Sequence, residues 1–171
     1  MRVGRNLSRA CIVAVTILDP GLRISEALGI RKEDVDFDNL VIRVKGKGSK
    51  HRLVPISNEL RKRLFNYFKR VGINNQSDLA FGTKYGTQIT ARNFLRDFRR
   101  LCSQLSIVDV RTSPHTLRHT FAVSYLRAGG NLFYLSRILG HTSTKTTERY
   151  LQSFGIEDLQ AVHNKLSLLT K

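Results

Sequence analysis

Apolar side chains recur every three or four residues along several stretches of this chain, which is the spacing of an amphipathic helix. The first stretch covers residues 6–18. It would place the following side chains on one face: Leu7, Ala10, Cys11, Ala14, Ile17 and Leu18. Residues 19–21, Asp-Pro-Gly, should end this helix, because proline disfavours helix in the residue before it and glycine accommodates a turn. We expect a short second helix to begin near Arg23 or Ser25.

Two apolar, β-branched runs, residues 40–44 and 52–56, flank the sequence K-G-K-G-S-K. Glycines between two such runs are typical of a hairpin turn. The sequence therefore predicts a β-hairpin that carries Lys45, Lys47 and Lys50 at or near its tip.

The rest of the chain is predicted to be helical, at residues 57–71, 90–106 and 114–127, after Asn131 and after Ile156. The helix over residues 90–106 should turn Phe94, Phe98, Leu101, Cys102 and Leu105 inward, and Arg92, Arg96, Arg99 and Arg100 largely outward. Residues 79–82 fit either a short third strand or an extended link. The predicted fold class is mainly α with a small antiparallel β-sheet (α+β), in one domain of 171 residues.

Charge narrows the possible partners. The chain has 29 Lys and Arg residues against 13 Asp and Glu, a formal net charge of +16, while its hydrophobic fraction of 41% is ordinary for a globular protein. Such a field favours a polyanion, most often nucleic acid. No apolar run is long enough for a membrane span, and the first residues lack a signal-peptide core. Cys11 and Cys102 fall in helical patterns, which favours small core residues in a reducing cytosol over a disulfide.

Candidate chemistry is concentrated between Ser113 and Tyr150. Ser113-Pro114 is a helix start, and His115 and Arg118 lie three apart on that helix, so both can project from one face. His141 follows Gly140, a predicted helix stop. This set could hold a phosphate and attack it with a phenol.

Other site types match less well. His115 and His119 have the spacing of a zinc-binding pair, but Thr116 stands where the metalloprotease pattern has glutamate and no third ligand is indicated. The chain has no G-x-S-x-G elbow, and K-G-K-G-S lacks the spacing of a phosphate loop. We therefore predict no metal, no cofactor and no nucleotide.

Four segments together resemble a family. They are P-G-L-R-I-S-E-A-L, G-K-G-S-K-H-R-L-V-P, H-T-L-R-H-T-F-A and L-G-H-T-S-T-K-T-T-E-R-Y. In this order and spacing they resemble the catalytic domain of the tyrosine recombinases, the phage-integrase family. The resemblance implies these catalytic residues: Arg23, Lys47, His115, Arg118, His141 and Tyr150. It also matches Glu26 to an acidic support residue, and departs from the family at Pro20, where threonine is usual.

The resemblance implies a site-specific DNA recombinase or integrase of a phage or mobile element that cleaves and rejoins strands through a covalent 3′-phosphotyrosine, without metal or ATP. The implied roles are phosphate binding by Arg23 and Arg118, proton handling by His115 and protonation of the leaving oxygen by Lys47, for which Lys45 and Lys50 are alternatives. Two other functions remain open: a non-catalytic DNA-binding module of the same fold, and a type I topoisomerase-like relaxing enzyme.

Family members normally carry an N-terminal DNA-clamping domain, so the resemblance implies that residues 1–171 are the C-terminal catalytic domain of a longer recombinase. The implied partners are double-stranded DNA and other protomers in a tetrameric synapse, with no membrane, in the cytoplasm at the nucleoid. The C-terminal segment, residues 156–171, either docks on a neighbouring protomer or packs on its own domain.

Overall fold

The structure, a computed structural model, describes residues 8–46, 51–107, 111–167 and 169. It is mostly helical with one small sheet, so the predicted fold class is confirmed. The helices in this part of the chain are α1 (Arg9–Leu18), α2 (Ile24–Leu28), α3 (Asn58–Val71), α4 (Ala91–Gln104), α5 (Pro114–Arg127), α6 (Leu132–Leu139), α7 (Lys145–Glu148) and α8 (Ile156–Leu166). The antiparallel strands are β1 (Val35–Asp36), β2 (Val41–Lys45) and β3 (His51–Pro55), in the order β1-β2-β3.

Helices begin where a side chain can accept hydrogen bonds from free backbone N–H groups. Ser57, Thr90 and Ser113 each accept one from the residue three positions on, and thereby cap α3, α4 and α5. Asn131 caps α6 in a similar way. Each such cap contributes about 1 kcal/mol to helix stability. Pro114 occupies the first turn of α5, as the sequence predicted.

The hairpin is confirmed, but the third strand is not where the sequence suggested it. Strands β2 and β3 pair with Val44 opposite Arg52 and Ile42 opposite Val54. The third strand is β1, which is only two residues long and therefore leaves no periodicity to detect. In the alternative segment, residues 79–82, Leu79 forms an isolated bridge with Arg31.

Two apolar clusters form the core. The larger one joins α1 to α4 and the sheet, and the smaller one joins α5, α6 and Tyr150. Gly21 lies where they meet, with a φ of +69°, and a Cβ there would lie 2.2 Å from a ring carbon of Phe121. A glycine is therefore needed for both the turn and the close packing. The candidate site lies along this seam.

Leu105 is a correction to the sequence prediction, because its side chain is exposed. Helix α4 ends at Gln104, and Leu105 is the residue that leaves the helical path. The inward-facing pattern therefore stops at Cys102, while Phe94 and Phe98 are buried as predicted. Among the described residues, none of the helices has the length and apolar content needed to cross a membrane.

Candidate active site

Arg118 is a buried charge at the seam between the two clusters, with only 7% of its surface exposed. Its Nη1 donates to the Gly21 carbonyl and its Nη2 to the Leu139 carbonyl, each at 2.8 Å. Burial lowers the pKa of the Arg118 guanidinium, and the charge of Arg23 lowers it further. Arginine nevertheless stays protonated near neutral pH. Arg118 is therefore a fixed positive charge.

Arg23 lies on the more open side of the same cluster, at the turn before α2. Its Nη1 donates to the Leu139 carbonyl at 3.2 Å and to Oε1 of Glu26 at 3.0 Å. Its backbone N–H donates to Oε2 of Glu26 at 2.8 Å, which caps α2. The Arg23 side chain is 44% exposed, so its guanidinium can also meet a ligand from solvent.

Glu26 is the carboxylate at the centre of the cluster. Arg52 binds it with both terminal nitrogens, Nη1 to Oε1 at 2.9 Å and Nη2 to Oε2 at 3.0 Å. Burial alone would raise the pKa of Glu26, but hydrogen bonds from Arg52 and Arg23 outweigh it and hold that pKa below its ordinary value. Glu26 is therefore ionised at neutral pH.

Three arginines donate hydrogen bonds to carbonyls at the C-terminal end of α6. Arg23 and Arg118 donate to the Leu139 carbonyl, and Nε of Arg52 donates to the Ile138 carbonyl at 2.9 Å. These carbonyls have no partner within the helix and carry the negative end of its dipole. Gly140 ends α6 in the left-handed conformation, and a Cβ there would lie 2.9 Å from Cζ of Arg52.

His141 follows this helix end directly. Its Nε2 lies 3.1 Å from Nη2 of Arg118, and its Nδ1 lies 2.9 Å from Oγ1 of Thr147. Because a guanidinium can only donate, Nε2 accepts and Nδ1–H donates to Thr147. Burial, followed by the charge of Arg118 and of the other arginines here, lowers the pKa of His141 to about 4. The imidazole is therefore neutral at pH 7 in this state.

Tyr150 lies beside the arginines but is withdrawn from solvent, with 3% of its surface exposed. Its ring centroid lies 5.4 Å from that of His119, and the Arg149 guanidinium lies 5.2 Å from it on the ring face. Nη2 of Arg149 donates to the phenolic oxygen at 3.4 Å, and the phenol interacts electrostatically with Arg118. The candidate nucleophile is thus next to the cluster but covered.

Two predicted site residues are not joined to this cluster by any contact that the structure shows. His115 is exposed at the start of α5, one turn before Arg118, and its imidazole makes no hydrogen bond with another described residue. Lys47 and its alternative Lys50 lie outside the described residues. Lys45 ends β2 with an exposed side chain. The structure therefore brings together Arg23, Arg118, His141 and Tyr150.

Two contributors were missed by the sequence analysis as parts of the site: Arg52 and Arg149. A signal for Arg52 did exist. Because alternate residues of a strand face the same side, Arg52 lies on the same face as the buried residues Val54 and Ile56. A charge on the core side of a strand needs a buried partner, which here is Glu26. Arg149 carried no comparable signal.

The cluster as a whole is rich in positive charge. Arg23, Arg52 and Arg118 lie around the carboxylate of Glu26, Arg149 lies against Tyr150, and the neutral imidazole of His141 contacts Arg118. Guanidinium groups held by protein carbonyls offer preorganised donors to an anion without reorganising when it binds. A tetrahedral oxyanion such as a phosphodiester fits this arrangement, and the phenol of Tyr150 is the candidate nucleophile beside it.

Comparison with proteins of known family gives the same family throughout. Residues 6–155 match the phage integrase family. The chain is 33% identical to the tyrosine recombinase XerC of Syntrophus aciditrophicus (strain SB), over 85% of this chain and 49% of that protein. It is 35% identical to the tyrosine recombinase XerD of Pseudomonas aeruginosa (strain PAO1), over 84% of this chain and 50% of that protein.

Solved structures show the same fold. A crystal structure of XerA recombinase aligns with a TM-score of 0.77 and 29% identity, over 92% of this chain and 56% of that one. The catalytic domain of bacteriophage HP1 integrase aligns with a TM-score of 0.61 and 27% identity, over 94% of this chain and 83% of that one. The chain spans about half the length of the curated relatives it matches.

Proposed function

Because this chain belongs to the phage integrase family, we propose that it is the catalytic part of a site-specific DNA recombinase. In this proposal it cleaves one DNA strand by attack of Tyr150, holds the 3′ end as a phosphotyrosine, and rejoins that end to a new 5′ hydroxyl. One observation carries the proposal: Arg23 and Arg118 donate to the same Leu139 carbonyl, with His141 and Tyr150 in contact with Arg118.

In the proposed chemical step each residue of the site has one role. The Tyr150 oxygen forms a bond to phosphorus while the bond from phosphorus to the 5′ oxygen breaks. Arg23 and Arg118 neutralise the charge that grows on the non-bridging oxygens. His115 takes or orients the phenol proton, and Lys47 gives a proton to the leaving 5′ oxygen. The phosphotyrosine keeps the energy of the broken ester, so rejoining is the reverse step.

Tyr150 has to leave its covered position before it can react, because a phenol that is 3% exposed is closed to a DNA phosphate. The segment around it is suited to such a movement. Helix α7 is a single turn, and Thr147 ties it to His141 through one hydrogen bond. In this proposal the described structure is a resting state.

In the proposal His141 donates a hydrogen bond to a phosphate oxygen. Burial is the largest cause of the low pKa of His141, and the arginine charges lower it further; a bound phosphodiester would offset those charges. The ring could then take up a proton and donate from Nε2 to a phosphate oxygen. Its present bond to Thr147 would keep the ring oriented for that task.

The proposed DNA contacts extend beyond the active site. Exposed arginines on α4 present positive charge to the duplex backbone: Arg92, Arg96, Arg99 and Arg100. Such phosphate contacts position a duplex without specifying its sequence. The proposal therefore places the protein's action on cellular DNA, at the nucleoid.

We also propose that α8 contacts a neighbouring protomer in a tetrameric synapse. Its apolar side chains Ile156, Leu159 and Leu166 are exposed, which is unfavourable unless another surface covers them. In the free chain Asp158 pairs with Arg127 of α5 at 2.8 Å, so α8 is also held on its own domain. Exchange of α8 between protomers would break this exposed ion pair at small cost.

The test begins by finding the DNA. The full chain is incubated with fragmented genomic DNA of its source organism and denatured, and the covalently attached DNA is sequenced. A duplex built on the recovered sequence, with a nick that lets the cleaved 5′ fragment diffuse away, is then used to accumulate the adduct. We expect an adduct from the native chain and none from Tyr150→Phe.

The alternatives give different outcomes. DNA binding with no covalent adduct in either protein would contradict the proposal and favour the non-catalytic binding module. Relaxation of a supercoiled plasmid that lacks the recovered sequence would favour the topoisomerase-like enzyme. Unchanged DNA affinity of Tyr150→Phe, together with loss of the adduct, supports the proposal.

A further inference from the structure

Arg52 uses all three of its side-chain nitrogens within the protein. Nη1 and Nη2 bind the two oxygens of Glu26 at 2.9 and 3.0 Å, and Nε donates to the Ile138 carbonyl at 2.9 Å. The side chain is 17% exposed and its partner carboxylate is 7% exposed. Planar, two-pronged pairing of this kind fixes direction as well as distance.

Arg52 and Arg23 bind the same carboxylate, that of Glu26. Oε1 of Glu26 accepts from Arg23 and Arg52, and Oε2 accepts from the Arg23 backbone and from Arg52. Nη1 of Arg118 lies 3.9 Å from the same Oε2. The direction of the Glu26 carboxylate, and with it the position of Arg23, therefore depends on Arg52.

Arg52 also connects the hairpin to this network. It belongs to β3, opposite Val44 of β2, and stands five positions after Lys47. Its bond to Ile138 ties β3 to the end of α6, next to the carbonyl that Arg23 and Arg118 share. Gly140 leaves room for this contact, since a side chain there would meet the Arg52 guanidinium.

We propose that Arg52 is a positioning residue that acts through Glu26 and the Ile138 carbonyl to hold Arg23 and the base of the lysine-bearing hairpin in register for the reaction. It makes this contribution without touching DNA. This inference rests on the proposed strand cleavage, and it adds a residue to which neither the motif pattern nor the family resemblance gave a role.

The test compares Arg52→Met with Arg52→Lys and with a matched control, Arg63→Met. Arg63 also pairs with a glutamate, Glu59, but on the exposed surface of α3. For each variant, adduct formation on the nicked duplex is measured as the rate at saturating DNA and as the DNA concentration that gives half that rate. Thermal unfolding establishes that each variant is folded.

We expect Arg52→Met to lower the saturated rate by about 100-fold, the typical cost of misplacing a reacting group by about 1 Å. The half-saturating DNA concentration should change by less than about 3-fold, since Arg52 does not contribute to uniform binding of the duplex. Arg52→Lys should be intermediate, because an ammonium group cannot bind both carboxylate oxygens and the carbonyl together. Arg63→Met should match the native chain.

The pH profile gives a readout that loss of packing would not. Without Arg52, burial of Glu26 is less well offset, so its pKa should rise. The acid limb of the rate profile should then move to higher pH in Arg52→Met, because protonated Glu26 releases Arg23.

Two results would overturn the inference. One is a saturated rate for Arg52→Met equal to that of Arg63→Met, and the other is a weaker half-saturation with an unchanged saturated rate, which would make Arg52 a DNA contact. If Arg52→Met does not fold, Arg52→Lys carries the same comparison at a smaller expected effect. An adduct from the native chain shows that the proposed function holds, so its absence would indicate failure of that function and not of Arg52 alone.

Discussion

The arginine cluster (Arg23, Arg52 and Arg118) and the tyrosine segment (residues 145–153) lie side by side but are held by different kinds of contact. In the cluster, Arg23, Arg52 and Arg118 make hydrogen bonds of 2.8 to 3.2 Å to a carboxylate and to backbone carbonyls. The Tyr150 side chain is buried in the smaller apolar cluster and is held by ring contacts, by one hydrogen bond of 3.4 Å from Arg149 and by its interaction with Arg118. Its backbone is bonded to neighbouring residues of the chain, Thr147 and Ser153. The difference indicates that Arg23 and Arg118, the groups proposed to bind phosphate, are preorganised by short hydrogen bonds, while the side chain of the proposed nucleophile is held mainly by apolar and ring contacts.

The largest effect on cleavage should come from removing a hydrogen-bond donor of the arginine cluster. Arg118→Met deletes the guanidinium and leaves the Gly21 and Leu139 carbonyls with fewer partners. We expect adduct formation to fall by about 1000-fold, as for other losses of a preorganised transition-state donor. The measurement is a single-turnover cleavage assay. A loss below about 10-fold would contradict the role given to Arg118.

The next prediction separates the cost of backbone strain from the cost of disturbing the arginine cluster. Gly140→Ala and Gly72→Ala both place alanine in the left-handed conformation at a helix end, with φ of +66° and +71°. Such strain costs about 1 to 2 kcal/mol in each. Only at Gly140 would the new methyl also meet Arg52, since nothing lies within 4 Å at Gly72.

Urea unfolding of these two variants should therefore differ, with Gly140→Ala less stable by a further ~1 to 3 kcal/mol for the displaced or overpacked side chain. Gly140→Ala should also slow cleavage, whereas Gly72→Ala should not. Equal stability and equal activity of the two variants would mean that the contact between Gly140 and Arg52 is dispensable.

His141 makes the free energy of unfolding sensitive to acid. Its pKa in the folded chain is about 4, below the ordinary value of 6.5, because of burial and the neighbouring arginines. Between these two values the unfolded chain binds the proton and the folded chain does not, so the free energy of unfolding falls as pH drops from about 6.5 to 4. Above that window His141 has no effect on the pH dependence.

Unfolding by urea at pH 7, 5.5 and 4.5 checks this expectation. His141→Gln should show a smaller loss of stability on acidification than the native chain, because glutamine does not titrate. Inorganic phosphate should reduce the loss in the native chain by offsetting the arginine charges. Parallel curves for the two proteins would contradict the assignment of the low pKa to His141.

The smallest effect should come from the tyrosine segment. His119→Ala removes one ring contact from Tyr150 while leaving the arginine cluster intact. We expect a loss of about 1 kcal/mol or less in the free energy of unfolding, and faster hydrogen exchange confined to residues 145–153. Slower exchange there, or a spread into α2 and β3, would show that the two regions are not separately held.

Sequence alone predicted most of the scaffold, since its signals are local. Ser113-Pro114 marked the start of α5, the glycines marked the hairpin, and local spacing singled out Arg118 and His141, while the family resemblance added Arg23. Arg23 meets Leu139 across 116 positions, and no periodicity shows such pairing. The family resemblance supplied that convergence.

What could not be predicted depends on tertiary contacts. The pattern of β3 placed Arg52 on the core side but did not identify Glu26 as its partner. Tyr150 stands in a polar, threonine-rich segment, yet its ring is buried against α5 and α6. Leu105 fitted the apolar face of α4 but lies just beyond the residue where the helix ends.

The most direct test of the account is to identify the residue that carries DNA. The trapped adduct is digested with nuclease and protease, and the peptides are analysed by mass spectrometry. The account predicts that the remaining nucleotide is attached through a 3′-phosphate to the peptide containing Tyr150. Attachment at any other residue, or an adduct that persists in Tyr150→Phe, would contradict it.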